Sequence, residues 1–278
     1  MLDDILCKRA EEACLNTWPA IKEVFYGDWL IRFAAGQTRR TNSVNVIGPG
    51  RFAVDAKIAH CEQLYRACGQ PAYFRILPVR DGNLDSRLAE RGYGKEGETL
   101  TLFMDFARET PAEPGYVVEL HEELPTREWC QAHIRLSGRT QAEGFVLNDM
   151  LNLLAIPSAF AAVRDETGAI ASVAFGAIHA GMVCLQWVVT AEAARRRGYS
   201  RATILALLGW AARAGASGAC LQVVAENFPA IHLYSAIGFD RELYRYHYRV
   251  AGAAKSFPFS KAMTPTAMRR PMACPRLP

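Results

Sequence analysis

The stretch Leu185-Gln-Trp-Val-Val-Thr-Ala-Glu-Ala-Ala-Arg-Arg-Arg-Gly-Tyr-Ser-Arg201 decides how this chain is read. It opens as an apolar strand, passes through a short loop of three arginines and a glycine, and enters a helix near Tyr199. A helix start leaves N–H groups without intrahelical acceptors and concentrates about half a positive charge there. Such an end suits a phosphate or pyrophosphate. Gly198 permits close backbone approach and positive φ. Arg195, Arg196, Arg197 and Arg201 set four cations around one turn, each capable of charge-assisted, bidentate phosphate contacts. The loop alone fits a solvated basic cap on a core helix equally well, so its surroundings have to decide.

Outward from this stretch, the second half of the chain alternates as a mixed α/β unit should. Strands are expected at 115–120, 159–164, 170–178, 182–190, 219–224 and 243–250, and helices at 127–136, 141–153, 199–214 and 229–237. Asp165-Glu-Thr-Gly168 reads as the turn of a hairpin. Gly238 sits where a left-handed C-terminal cap is usual. The final strand, Leu243 to Val250, is expected to close this half.

Two motifs in this half resemble the GNAT superfamily of N-acetyltransferases over about residues 115–250. Arg195-Arg196-Arg197-Gly198-Tyr199-Ser200 resembles the family signature for the coenzyme A pyrophosphate, [Gln/Arg]-x-x-Gly-x-[Gly/Ala], with Ser200 departing at the last position. Asn227-Phe-Pro-Ala-Ile-His-Leu-Tyr-Ser-Ala-Ile-Gly-Phe239 resembles the family's second element. The resemblance implies acetyl-CoA as cosubstrate, a primary amine as acceptor, and no metal. It implies that the strand ending Val188-Val189-Thr190 pairs with the pantetheine arm, with a backbone N–H near Val189 serving the oxyanion. It further implies that Arg195 to Arg201 hold the pyrophosphate, that Asn227 bonds the pantetheine amide, and that Tyr234 protonates the departing thiolate. Local readings stand beside these: Asn227 is also a suitable helix cap, and Tyr234 shares a helical face with Ala230, Leu233 and Ile237 as a core aromatic would. Glu143, Asp149 and Glu226 are candidate bases without a decisive argument for any. Cys184 is better read as a buried strand residue than as an acyl carrier.

Arg108-Glu-Thr-Pro-Ala-Glu-Pro114 reads as a linker. We therefore divide the chain into 1–109, 110–250 and a tail, 251–278. Sliding the second half onto the first by 146 residues brings Gly238-Phe239 onto Gly92-Tyr93 and the strand at Cys220 onto Phe74. An ancient duplication follows, with two GNAT-like domains, each a mixed, mostly antiparallel twisted sheet flanked by helices. In that alignment Leu88 replaces Tyr234, Asp81 replaces Asn227, and Gly48-Pro49-Gly50-Arg51-Phe52 lacks the Arg-x-x-Gly pattern. The first half therefore reads as degenerate. Its one unusual polar stretch, Gly36-Gln-Thr-Arg-Arg-Thr-Asn-Ser43, is either a solvated hairpin or a wall of the acceptor pocket between the halves.

Composition narrows the function classes. The formal charge of +4 is concentrated in the tail, whose five cations and no acids leave the first 250 residues near −1. A nearly neutral body does not suit nucleic acid, and gives no preference for polycationic acceptors. A small amine or amino acid is expected. No Walker loop or G-x-G-x-x-G fingerprint is present. The chain lacks a long apolar run, a secretory leader and C-x-x-C pairs, so a cytoplasmic location, no membrane partner and eight reduced cysteines are expected. A homodimer is compatible with this reading. A non-catalytic acyl-CoA sensor is the alternative function.

Overall fold

A computed structural model describes residues 2–48, 50–77 and 82–251. The basic tail from residue 252 onward, Pro49 and Asp81 lie outside the described residues. The first half runs α1 (Leu2–Thr17), β1 (Lys22–Tyr26), β2 (Trp29–Phe33), a 3₁₀ turn at Arg39–Thr41, β3 (Val44–Val46), α2 (Val54–Ala67), β4 (Tyr73–Ile76), α3 (Leu84–Glu90) and β5 (Gly94–Asp105). The second half runs β6 (Glu119–Glu122), α4 (Arg127–Leu136), α5 (Gln141–Asn152), β7 (Ser158–Arg164), β8 (Ile170–His179), β9 (Met182–Thr190), a 3₁₀ turn at Glu192–Ala194, α6 (Tyr199–Arg213), β10 (Gly218–Val224), α7 (Phe228–Ile237) and β11 (Arg241–Val250).

Local chemistry accounts for many of the boundaries. Thr126 caps α4 by accepting from the Trp129 N–H. Thr140 and Glu143 form a reciprocal capping box on α5. Gly238 ends α7 at φ 119°, a conformation that favours glycine. The first strand of the second half begins at Glu119 rather than residue 115, because Gly115 is left-handed at φ 73° and starts a bend.

All eleven strands join one sheet, in the order β1-β2-β3-β4-β11-β5-β10-β9-β8-β7-β6. β11 does not close the second half as its alternating aromatics suggested. It runs antiparallel to β4 of the first half, while β5 runs antiparallel to β10 of the second. Each half gives its last strand to the other, and β11 and β5 pair at the seam. The exchange removes what would otherwise be two exposed edges in the middle of the molecule. Asp85 of α3 fastens β11 in place by accepting from Arg249 Nε at 2.7 Å and facing His247 Nε2 at 2.9 Å.

The seam is further pinned by α1, which packs on the second half. Arg75 of β4 and Glu11 of α1 are both buried, and their guanidinium and carboxylate pair side by side. Tyr244 O–H donates to the same carboxylate at 2.6 Å, and the Arg75 guanidinium lies 3.8 Å from the Tyr246 ring centre. Removing one charge of a buried pair strands the other. Glu11→Gln should therefore cost about 2 kcal/mol of stability, read as a lower midpoint in urea unfolding with little change in slope. An unchanged midpoint contradicts this account of the seam.

On one face of the second half, α6 and α7 pack Leu205, Leu208 and Ile237 against Leu185, Leu221 and Phe239. On the other, Trp129 of α4 and Leu147 and Met150 of α5 pack with Phe160, Phe175 and Trp18. No helix among the described residues is long and apolar enough to cross a membrane.

Candidate functional site

β9 and β10 run parallel and pair only over Met182–Leu185 and Gly218–Leu221. Beyond Gln186 and Gln222 they part, β9 continuing along β8 to Thr190 and β10 along β5 to Val224. The sheet opens there into a V. A bulge lies just past its apex, where the β8–β9 register slips between Phe175–Gln186 and Val173–Val189. Trp187 holds φ 50° within it. A non-glycine residue in that region is strained, and a bulge re-aims backbone groups. Val188 and Val189 follow directly, half-buried on one arm of the V.

The basic loop closes the open end of the same arm. Arg196 at φ 61° and Gly198 at φ 85° bend it into α6. Gly198 is the N-cap of α6 and brings no side-chain cap, and the first helical bond is Ala202 N–H to Gly198 C=O. Among the described residues, the N–H groups of Tyr199, Ser200 and Arg201 have no protein acceptor. Arg195, Arg196, Arg197 and Arg201 are exposed. Arg195 faces Glu192 at 3.9 Å and Arg197 faces Glu166 at 3.8 Å, long exposed contacts of little energetic weight. This is a helix start with free donors and a collar of weakly engaged cations, the arrangement a diphosphate needs.

Ser200, the departure from the signature, has a structural role. Its Oγ lies 2.6 Å from Thr190 Oγ1, which donates to Ser172 Oγ at 2.8 Å, which donates to the Val189 carbonyl at 3.2 Å. A hydroxyl relay thus ties the helix start to β9. From outside, Tyr116 O–H donates to the Arg197 carbonyl at 2.7 Å, and its ring packs edge-on against the buried Tyr199 ring.

On the other side of the V, α7 carries the second motif. Asn227 caps α7, its side-chain oxygen accepting from Ala230 N–H at 3.3 Å, and is exposed. Its amide N–H₂ group makes no bond among the described residues. Tyr234 is half-buried, with its ring 6.1 Å from that of Phe239 and no hydrogen bond to its hydroxyl among the described residues. Burial pushes the phenol up to about 12, opposed by the nearby Arg40 guanidinium. The group keeps its proton throughout the physiological range, as an acid should.

The acid candidates for a base fare differently. Glu143 is occupied by its capping box, with both the N–H and the hydroxyl of Thr140 donating to it. Asp149 and Glu226 are exposed. Cys184 is fully buried and lies with Cys14 and Cys220 in a thiol cluster whose sulfurs are within 4.8 Å of one another. That cluster is the one grouping of metal-ligating side chains found among the described residues.

Sequence reasoning missed the groups that furnish the opposite face of the V's apex. Trp187 lies 4.1 Å, stacked, from His133 of α4 and 4.3 Å, edge-on, from Trp18. His133 is buried with Nε2 unpartnered, and burial, helped by Arg139, lowers it to about 3. It is therefore neutral. The polar stretch 36–43 does not form a solvated hairpin. It packs between the halves, with Arg40 Nη1 donating to Gln186 at 2.9 Å and Gln222 at 3.3 Å. Gln37 accepts from Arg139 at 3.2 Å. The sequence marks out this stretch as a possible pocket wall, but its partners are more than 100 positions away, so no local pattern announces them. A surface cavity of about 680 Å³ lies outside the loop, between Tyr116, Arg164 and Arg197. Its Arg164 is already clamped by Glu119 and Glu128, which leaves it unsuited to hold an anion.

A family profile described as the C-terminal region of the probable histone acetyltransferase Rv0428c matches residues 7–249. The protein named uncharacterized N-acetyltransferase YobR, from Bacillus subtilis (strain 168), is 28% identical over 255 residues, spanning 90% of this chain and 99% of that one. Among solved structures, a GCN5-related N-acetyltransferase from Kribbella flavida aligns with a TM-score of 0.64 at 14% identity, over 91% of this chain and 95% of its own. A tandem GNAT protein from the clavulanic acid biosynthesis pathway aligns with a TM-score of 0.62 at 18% identity, over 76% of this chain and 74% of its own. With the family profile covering most of its length, the chain belongs to that acetyltransferase family, and it shares the fold of the GNAT structures.

Proposed function

We propose that the chain moves an acetyl group from acetyl-CoA to a primary amine of a small molecule or amino acid by direct attack on the thioester. The observation that carries this reading is the V between β9 and β10, with the donor-rich start of α6 at one end and Tyr234 across from it. In this reading the pantetheine arm lies along Val188 and Val189, and Asn227 adds its amide to the same arm. The pyrophosphate rests on the N–H groups of Tyr199 and Ser200 and the arginines 195, 196, 197 and 201. A neutral amine attacks the carbonyl carbon. The C–N bond forms, a backbone N–H near Val189 stabilises the oxyanion, the attacking nitrogen sheds its extra proton to water, and the C–S bond breaks as Tyr234 gives its proton to sulfur and is then reprotonated by solvent. Residues 110–250 carry the site. Residues 1–109 act as a degenerate copy, a reading supported by the matching order of β4, α3 and β5 with β10, α7 and β11. A cytoplasmic location fits this chemistry.

Two measurements test the reading. Coenzyme A should raise the melting temperature where ATP does not, and incubation with acetyl-CoA and a panel of amines should release free thiol. Stabilisation by coenzyme A without turnover of any amine selects the sensor alternative instead.

The pH profile gives a further check. With Tyr234 pushed up to about 12, its acid function is fully present at neutral pH and is lost only as pH rises through that region. The acceptor amine must be neutral, which raises the rate with pH through the amine's own pKa. The kcat/KM profile should therefore rise through the amine's own pKa and show no descending limb below about pH 10. A descending limb near pH 8 assigns the acid to another group.

A further inference from the structure

Resting on the acetyl-transfer reading, we propose that Arg40 is a specificity-determining residue that receives an acceptor carboxylate, so that the substrates are amines bearing an acid group, α-amino acids above all.

Arg40 stands at the apex of the V. Gln186 and Gln222 are the first residues past the last β9–β10 pair, and Arg40 Nη1 bridges their two side-chain oxygens at 2.9 and 3.3 Å. Its charge reaches across to Tyr234 and opposes the upward shift of that phenol. The guanidinium carbon lies 5.5 Å from the Trp18 ring centre, which supports the cation on one side. Arg40 is therefore delivered by the first half to the place where thioester and amine meet in the proposed reaction.

No carboxylate answers this charge among the described residues. Its neighbours differ: Arg32 pairs with Glu23 at 3.0 Å, and Arg75 pairs with Glu11. Arg40 has only the neutral oxygens of two glutamines, and its Nε and Nη2 make no hydrogen bond among the described residues. A half-buried cation without an anion is costly unless something supplies one. A guanidinium with an unused edge matches a carboxylate bidentately.

The support around Arg40 is built rather than loose. Asn42 Oδ1 accepts from the N–H groups of Ala34 and Gly36 at 2.8 and 2.9 Å, and its amide donates to the Thr38 carbonyl at 2.7 Å. Trp18 Nε1 donates to Thr38 Oγ1 at 2.9 Å. These bonds hold the 3₁₀ turn Arg39–Thr41 on the α4–α5 side of the sheet, opposite α6. A carboxylate on Arg40 and an amine at the thioester are then two ends of one short molecule.

The test uses the full chain with acetyl-CoA and matched pairs of amino acids and their carboxamides, following thiol release, with coenzyme A affinity measured separately by calorimetry. For the preferred acceptor, the acid should exceed its carboxamide in kcat/KM by about 100-fold, because an unpaired group in a site built for it is rejected strongly. Arg40→Gln should lower kcat/KM for the acid by a similar factor, chiefly through KM, lower it for the carboxamide at least about tenfold less, and keep coenzyme A affinity within about twofold. Arg40→Lys should recover part of the discrimination. Equal use of acids and carboxamides by the wild type overturns the proposal, as does equal loss of both with Arg40→Gln. If coenzyme A binds but no amine reacts, the N-acetylated amino acids and their carboxamides are titrated against the coenzyme A complex, and equal affinity overturns it as well. Loss of coenzyme A binding by the wild type points instead to failure of the acetyl-transfer reading.

Discussion

Gly198→Asp should weaken coenzyme A binding by at least about 100-fold while leaving the fold intact. Two effects act in the same direction. The new carboxylate sits beside the N–H groups of Tyr199, Ser200 and Arg201 and competes for the donors and arginines that a diphosphate would use. The backbone at φ +85° also resists any side chain, at a cost on the order of 1 kcal/mol. Sterics contribute little, because a Cβ there meets Tyr116 at 3.4 Å, an ordinary contact. Gly198→Ala separates the terms. It carries the backbone strain without the charge, so it should bind coenzyme A only several-fold more weakly than wild type. Calorimetry with coenzyme A, alongside far-UV circular dichroism, reads both. Wild-type affinity in the Asp variant rules out the α6 start as the diphosphate seat.

Features set by neighbouring residues were legible in the sequence. The loop from Arg195 to Arg201 and the cap at Gly238 could be read directly, because each depends on residues within one turn of the other. Helix α4 matched its expected limits, and strand β9 did as well, for the same local reason. The path of β11 was not legible. Its pattern Arg241 to Val250 specifies a strand with one buried face, and that is all a strand's own residues specify. Which neighbour it takes depends on Asp85, Arg75 and Glu11, all more than 150 positions away. The furniture of the apex escaped notice for a related reason. Trp18, His133 and Trp187 are unremarkable where they stand, and Arg40, although it lies in the polar stretch 36–43 that the sequence marks out, gains its partners only when that turn and α1 fold onto the second half. Ser200 is instructive in the opposite sense. It looked like a weakness in the motif, yet its hydroxyl joins Thr190 and Ser172 in holding the helix start against β9.

Tyr234→Phe should lower kcat by about 100-fold or more, in the usual range for loss of a positioned general acid, and leave coenzyme A affinity within about twofold. A ring that only fills space predicts the reverse. Tyr234 does pack in that way, touching the cluster around Leu205, Leu221 and Phe239, and phenylalanine preserves this packing. Its hydroxyl bonds nothing among the described residues, so deleting it breaks no bond seen here and should leave the melting temperature nearly unchanged. The phenol is also pushed up to about 12 by burial with only Arg40 in opposition. That holds the proton on the phenol at neutral pH but makes it a weaker acid than an ordinary thiol, so the transfer depends on its position beside the departing sulfur and on Arg40, which opposes the upward shift. The discriminating result is therefore a split: chemistry lost, binding and stability kept. Wild-type kcat in Tyr234→Phe removes the acid from α7 and leaves the ring a core aromatic, while equal losses in kcat and coenzyme A affinity assign it to holding the pantetheine arm.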